Sequence, residues 1–218
     1  MYLKKTAIVA LAAMVTLLAG GLFVTANAGD KGKDMDKGVT DKLEKRFDKA
    51  REHFMDEEYD MAAKEVEKAA DIVEMEAKDS SKDVKKRLNK RADELDAYAA
   101  SLQKKGEKRV EDLEKQASKT YQEVANSRYV KASTSWAEEK YEQAAGELKE
   151  AGKSLDKATM WGREKAEVGY ESAVKGARSA GNKVEKGADW TKKEVSDAMQ
   201  ALGNKISEYG KKLSDEDE

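Results

Sequence analysis

Proline and cysteine are both missing from the 218 residues, aromatic side chains make up only 6%, and the sole histidine is His53. Each absence excludes something. Proline is the strongest helix breaker, so a chain without it is free to be helical throughout. Without thiols there is no disulfide, no thiolate nucleophile and no zinc–thiolate centre. One histidine cannot supply the two Glu-x-x-His motifs of a ferritin-like dimetal site. The glycines form no phosphate-binding loop. What the chain has instead is charge, at 39% of residues, with abundant alanine, glutamate and lysine, the composition of long helices.

The first 28 residues carry the features of an export signal. Lys4 and Lys5 precede an uncharged stretch from Thr6 to Gly29, and Ala26-Asn27-Ala28 is an A-x-A site that predicts cleavage after Ala28. No cysteine follows for lipid attachment. Retention as a membrane anchor through residues 7–26 is the alternative, since twenty apolar residues are about enough to span a bilayer. Either route predicts a periplasmic or secreted location. Removal of residues 1–28 takes away two lysines, leaving 40 basic and 44 acidic residues, a net charge of −4. That balance argues against nucleic-acid binding, which needs a basic face.

Residues 29–38, GDKGKDMDKG, read as a flexible linker. Helical periodicity follows. Val39, Leu43, Phe47, Ala50 and Phe54 make one apolar stripe, Asp56-Glu57-Glu58 interrupts it, and Tyr59, Ala62, Val66, Ala69 and Val73 make a second. The same text returns 82 residues later. Tyr121, Ala125, Tyr129, Ala132 and Trp136 match the first stripe, Glu138-Glu139-Lys140 the break, and Tyr141, Ala144, Leu148, Ala151 and Leu155 the second. Shared composition accounts for the alanines. It does not account for an aromatic at 54 and 136, an acidic break, then tyrosine at 59 and 141 in register. Two antiparallel helical hairpins, about 42–73 and 124–155, are therefore predicted as copies.

Tyr59 to Ala69 (Y-x-x-A-x-x-x-V-x-x-A) and Tyr141 to Ala151 (Y-x-x-A-x-x-x-L-x-x-A) resemble the second helix of a tetratricopeptide repeat, with Ala50 and Ala132 where that family places a small packing residue. The units are not in tandem and lack the terminal proline, so the resemblance implies hairpin geometry more than a peptide groove. The layout is also weakly similar to the YfdX family of exported helical proteins, which implies stress tolerance without a defined reaction.

Between the copies, Ser80-Ser81 and Asp83 start a helix with a stripe of Val84, Leu88, Ala92, Leu95, Ala99 and Leu102. The chain either turns at Lys105-Gly106 or runs on into the stripe Val110, Leu113, Ala117, Tyr121 and Val124. The last third changes rhythm. Ala173, Val184, Val195 and Ile206 are eleven apart, as are Ala177, Ala188, Met199 and Gly210, and Ala180, Thr191, Leu202 and Leu213. These rows keep one face of a straight helix. They resemble the eleven-residue repeats of late-embryogenesis-abundant and apolipoprotein-like helices. Gly162, Gly169 and Gly176 read as a thin face for close packing.

His53 has only ordinary helix-surface acids nearby, Glu52, Asp56 and Glu57, and reads as exposed or at an interface. The acidic breaks complement the dipoles of the helices that follow them. The prediction is thus an all-α fold: an antiparallel helical bundle over 39–160, with helices near 39–55, 58–78, 81–104, 107–137 and 140–159. A long glycine-rich amphipathic helix over 161–213 and a disordered acidic tail at 214–218 complete it. No catalytic residue, cofactor or metal ligand is predicted. The expected function is that of a non-enzymatic exported binding or scaffold protein, stress-protective in the envelope, that engages a peptide or protein partner. Trp161, Trp190, Met199 and Leu202 are the candidate contacts. The alternative is a membrane-surface protein acting through the C-terminal helix, although 11 basic and 8 acidic residues over 161–213 give little attraction to anionic lipid. A helix of that length also leaves room for oligomerisation.

Overall fold

A computed structural model describes residues 38–104, 108–162 and 168–215. The predicted export signal, most of the predicted linker, the Lys105-Gly106 dipeptide and residues 216–218 lie outside the described residues. Seven α-helices are described, with no strand among them: α1 (Val39–Met55), α2 (Tyr59–Lys78), α3 (Lys82–Leu102), α4 (Val110–Ala137), α5 (Tyr141–Trp161), α6 (Val168–Glu185) and α7 (Lys192–Asp215). The two stripes do not share one continuous helix, because α3 stops at Leu102 and α4 starts at Val110.

The predicted stripes are the buried faces. Leu43, Phe47 and Ala50 of α1, and Val66, Ala69 and Val73 of α2, have no exposed surface, and the matching Leu148, Ala151 and Leu155 of α5 are closed in the same way. Each stripe needs a partner helix to remove it from water, at about 25 cal/mol per Å² of apolar surface. The pairings follow. α4 packs most extensively on α5, α5 on α6, α6 on α7, and α7 returns to α4, so these four close into an up-down-up-down ring. α1, α2 and α3 pack consecutively and lean on α4. Phe47 joins the two groups, with its ring centroid 5.8 Å from Tyr121 of α4 and 5.9 Å from Trp161 of α5. Because α7 closes the ring on α4, the second hairpin is a wall of a bundle rather than one layer of an open stack.

The two predicted hairpins turn in the same way, atom for atom. In the first, the amide of Glu57 donates to Phe54 O and that of Glu58 to His53 O; in the second, Glu139 donates to Trp136 O and Lys140 to Ser135 O. Glu57 and Glu139 both adopt the left-handed conformation, at φ 61° and 60°. This is a Schellman cap, in which two otherwise orphaned carbonyls of the last turn find donors. The aromatic pair is also repeated: Phe54 meets Tyr59 edge-on at 5.3 Å, and Trp136 meets Tyr141 edge-on at 4.9 Å.

A third turn of the same kind corrects one expectation. The single helix predicted over 161–213 is divided into α6 and α7. Gly187 N donates to Val184 O and Ala188 N to Lys183 O, with Gly187 at φ 61°. Helix α7 then restarts on Thr191, whose hydroxyl accepts the amide of Glu194 at 3.1 Å. Thr191 to Glu194 is a T-x-x-E capping signature that the eleven-residue period masked. The rows fail at this turn and nowhere else on their apolar face: Ala188 and Thr191 are exposed, whereas Val184, Val195, Met199, Leu202, Ile206 and Leu213 are buried. The predicted acidic tail also starts later than expected. Ser214 and Asp215 belong to α7, and Ser214 Oγ donates to Gly210 O at 3.0 Å.

Close approach explains the glycines better than a thin face does. A methyl group on Gly203 would strike the Tyr129 ring, and one on Gly162 would displace the Tyr209 hydroxyl, but one on Gly176 would meet nothing. The Tyr209 hydroxyl uses the space at Gly162 to reach Ser118 Oγ at 2.7 Å and Ala158 O at 3.0 Å, tying α7 to both α4 and α5.

Three stability outcomes follow from these turns and this packing, each read as a shift in denaturant midpoint. Glu57→Gly and Glu139→Gly should each stabilise by about 0.5–1 kcal/mol, since L-residues resist positive φ and glycine does not. Gly187→Ala should destabilise by a similar amount, about 1 kcal/mol, through φ alone, because nothing stands near its Cβ. Ala144, only 1% exposed, has no room for growth, and Ala144→Leu should cost about 1–3 kcal/mol in a denaturant titration.

Candidate binding surface

The described residues offer little that could do bond chemistry. His53 Nδ1 lies 2.7 Å from Glu58 Oε2 across the first turn, an exposed pairing. No group of three His, Asp or Glu side chains among the described residues is arranged to hold a metal ion. The depressions are shallow and charged. One, of about 550 Å³ between α3, α4 and α7, is lined by Arg87, Arg91, Glu123 and Lys211 among others. Burial raises the pKa of Glu123 there, and Arg87, at 3.2 Å, opposes the rise without cancelling it. On the outer face of α2 and α3, Asp96 is also pushed up, by burial and then by repulsion from Glu74, Asp71, Glu67 and Asp93.

The interior holds a compact ionic network. Arg128 of α4 sends one guanidinium nitrogen to Glu147 of α5 at 3.1 Å and another to Glu76 of α2. Lys131 reaches Glu76 at 3.0 Å, and Ser127 donates to the same carboxylate at 2.8 Å. The Arg128 and Glu76 side chains are each only 3% exposed. The planar fork of arginine serves the two carboxylates from separate nitrogens in a fixed geometry, whereas lysine offers a single nitrogen. The pair Arg128–Glu147 repeats Arg46–Glu65 of the first hairpin, at 3.0 Å and at the same offset of 82. On Glu65, burial works against ionisation, but hydrogen bonds from Lys68 and Arg46 outweigh it and lower its pKa. The matched apolar stripes include none of Arg46, Glu65, Arg128 and Glu147. The legible signal was an Arg nineteen residues before a Glu in both copies.

Of the residues predicted to contact a partner, three are in the core. Leu202 is fully buried, Met199 is 6% exposed, and Trp161, at 9%, packs on Phe47 with Arg51 over its ring. Their apolar surface is used by α1, α4 and the ring of four helices, so they present no contact face in this packing. Trp190 is different. It lies half-buried in the α6–α7 turn, 5.9 Å from Trp136 and 5.4 Å from Tyr141, which are themselves half-buried. Trp136, expected in the core, thus lies at its margin. Lys192 Nζ stands over the Tyr141 ring at 5.2 Å and salt-bridges Glu139 at 3.3 Å. Tyr59 in the first copy has the same kind of cover, from Lys108 at 4.5 Å, but no second tryptophan. The turns of two hairpins, α4–α5 and α6–α7, therefore bring three large aromatics together at one end of the four-helix ring.

The ionic network has a sharp expected signature. Arg128→Met would leave Glu76 and Glu147 buried without their shared cation, and should cost about 3–5 kcal/mol in denaturant unfolding. Arg46→Met in the other copy, where the arginine is 29% exposed and water can replace it, should cost clearly less. Equal losses would show that the two arginines are not distinguished by burial.

Comparison of this chain with family models, with curated proteins and with solved structures finds no significant match.

Proposed function

We propose that this chain is a non-enzymatic helical scaffold that engages a protein partner through the aromatic end formed by Trp136, Tyr141 and Trp190. The observation that carries the reading is that these three rings are clustered yet only half-buried. Tryptophan and tyrosine at a protein surface present a large rigid apolar area with a polar edge, and they dominate the energetics of protein interfaces. The rim carries both signs, with Lys140, Lys186, Lys192 and Lys193 set among Glu138, Glu139 and Asp189. A mixed rim around an apolar centre suits a protein surface. It suits a polyanion poorly. The rings touch one another, so there is no cage between them for a small cation; the contact would be made on their outer edges.

The export signal and the hairpin layout add an envelope setting and a stress-protective role to the proposal. The membrane-surface alternative would need α7 to release Val195, Met199, Leu202, Ile206, Tyr209 and Leu213, all of which it buries in the ring. None of the described helices is long and apolar enough to cross a membrane.

A photo-crosslinking residue at position 190 in producing cells should give one discrete adduct, and the same residue at position 75 should not. The protein identified in that adduct should bind the purified chain in titration. Trp190→Ala should weaken that binding by about thirtyfold or more while helicity is kept. Binding unaffected by Trp190→Ala sinks the reading. A blue shift of tryptophan fluorescence on adding neutral phosphatidylcholine vesicles to the intact chain would favour the membrane alternative instead.

A further inference from the structure

Exposed apolar side chains in this protein are of one kind. Every leucine among the described residues is buried, and so are most of the valines. The only exposed large apolar side chains there are methionines: Met55 at 66%, Met61 at 42%, Met75 at 50% and Met160 at 62%. Methionine ordinarily sorts with leucine into cores, as Met199 does here at 6%. The four positions stand on solvent faces of α1, α2 and α5, which they share with charged residues such as Glu52, Lys64, Asp71 and Lys157. Helix propensity does not explain the choice, since lysine and glutamate are about as favourable there. What methionine adds at an exposed site is its thioether.

We infer that Met55, Met61, Met75 and Met160 are oxidant-consuming modification sites, oxidised to the sulfoxide by hypochlorous acid or a related hypohalous acid while the fold is kept. The sulfur lone pair attacks the chlorine, hydroxide departs, and a sulfur–chlorine bond forms. Water then adds at sulfur, chloride leaves, and two protons are released, one of them neutralising the hydroxide. Thioether and hypochlorous acid thus become sulfoxide, chloride and one proton; sulfur loses two electrons and chlorine gains them. No thiol in the chain competes for the oxidant, because there is no cysteine. The sulfoxide is polar, which would disrupt a core but is harmless on a face already in water. At these four positions the product needs no repacking. At Met199, against Val195, Leu202 and Ile206 on the buried face of α7, it would.

The test is a titration of the full chain with hypochlorous acid, read by peptide mass mapping beside circular dichroism. The four exposed methionines should each gain one oxygen at least about tenfold faster than Met199, with helicity and melting unchanged when all four are converted. Concurrent oxidation of Met199, or loss of helicity at that point, would overturn the inference. A second chain carrying Met55→Gln, Met61→Gln, Met75→Gln and Met160→Gln should fold alike. It should lose Met199, Trp136 and Trp190 to oxidation at several-fold lower doses. Unchanged doses for those residues would mean the four methionines protect nothing, and the inference would fail.

Discussion

The guanidinium of Arg128 is where the two copies of the hairpin are held to one another. It belongs to the second copy, pairs within it to Glu147, and crosses to Glu76 of the first. A charge this deep is unfavourable unless every partner is in place, so the contact tolerates few alternatives. It sets the height at which α2 meets α4. The neighbouring contacts then fall into register: Ser80 reaches Ser127 at the α2–α3 turn, Arg87 reaches Glu123 farther along α3, and Arg51 meets Glu114 at 3.2 Å near the start of α4. Apolar stripes rich in alanine slide easily past one another. A buried arginine between two carboxylates does not.

From that fixed point the ring closes by small residues and turns. Three Schellman caps reverse the chain, two with a glutamate at positive φ and one with a glycine. The seven-residue spacing of Gly203 and Gly210 on α7 is answered by that of Tyr129 and Gln122 on the antiparallel α4, so each side chain seats on a bare stretch of backbone. The Tyr209 hydroxyl then donates to the Ala158 carbonyl near the end of α5, which also accepts the Gly162 amide and the Ser118 hydroxyl. Burial pushes the Tyr121 hydroxyl far above its ordinary pKa, with Glu44, Asp48 and Asp41 adding to the effect, so it stays neutral beneath α1.

A surface this charged leaves few places for recognition or reaction. Those few differ in kind. The aromatic end joins rings from two hairpins, with Trp136 and Trp190 each seated edge-on against Tyr141. The exposed methionines are separate, flexible and soft. The first suits a shaped partner and the second a small reactive oxidant, so the two proposals rest on different side chains and stand independently.

Much of this architecture was legible in the residues themselves. The all-α class and the boundaries of α1 to α5, to within a few residues, follow from periodicity. A helix that must bury one face repeats its apolar residues every three or four positions whatever it packs against. Local caps were only partly visible. Gly187 and the Thr191–Glu194 signature divide the last third, yet an eleven-residue period runs through the turn without a break in phase, and periodicity alone cannot separate one helix from two in line. Which residues face a neighbouring helix and which face water was decided by tertiary structure. Trp161, Met199 and Leu202 were expected at a surface and lie in the core; Trp136 was expected in the core and lies half-exposed beside Trp190. A stripe states that a side chain needs cover but not what supplies it. Here α7 folding back onto α4 covers one set of residues and leaves the ends of the hairpins open.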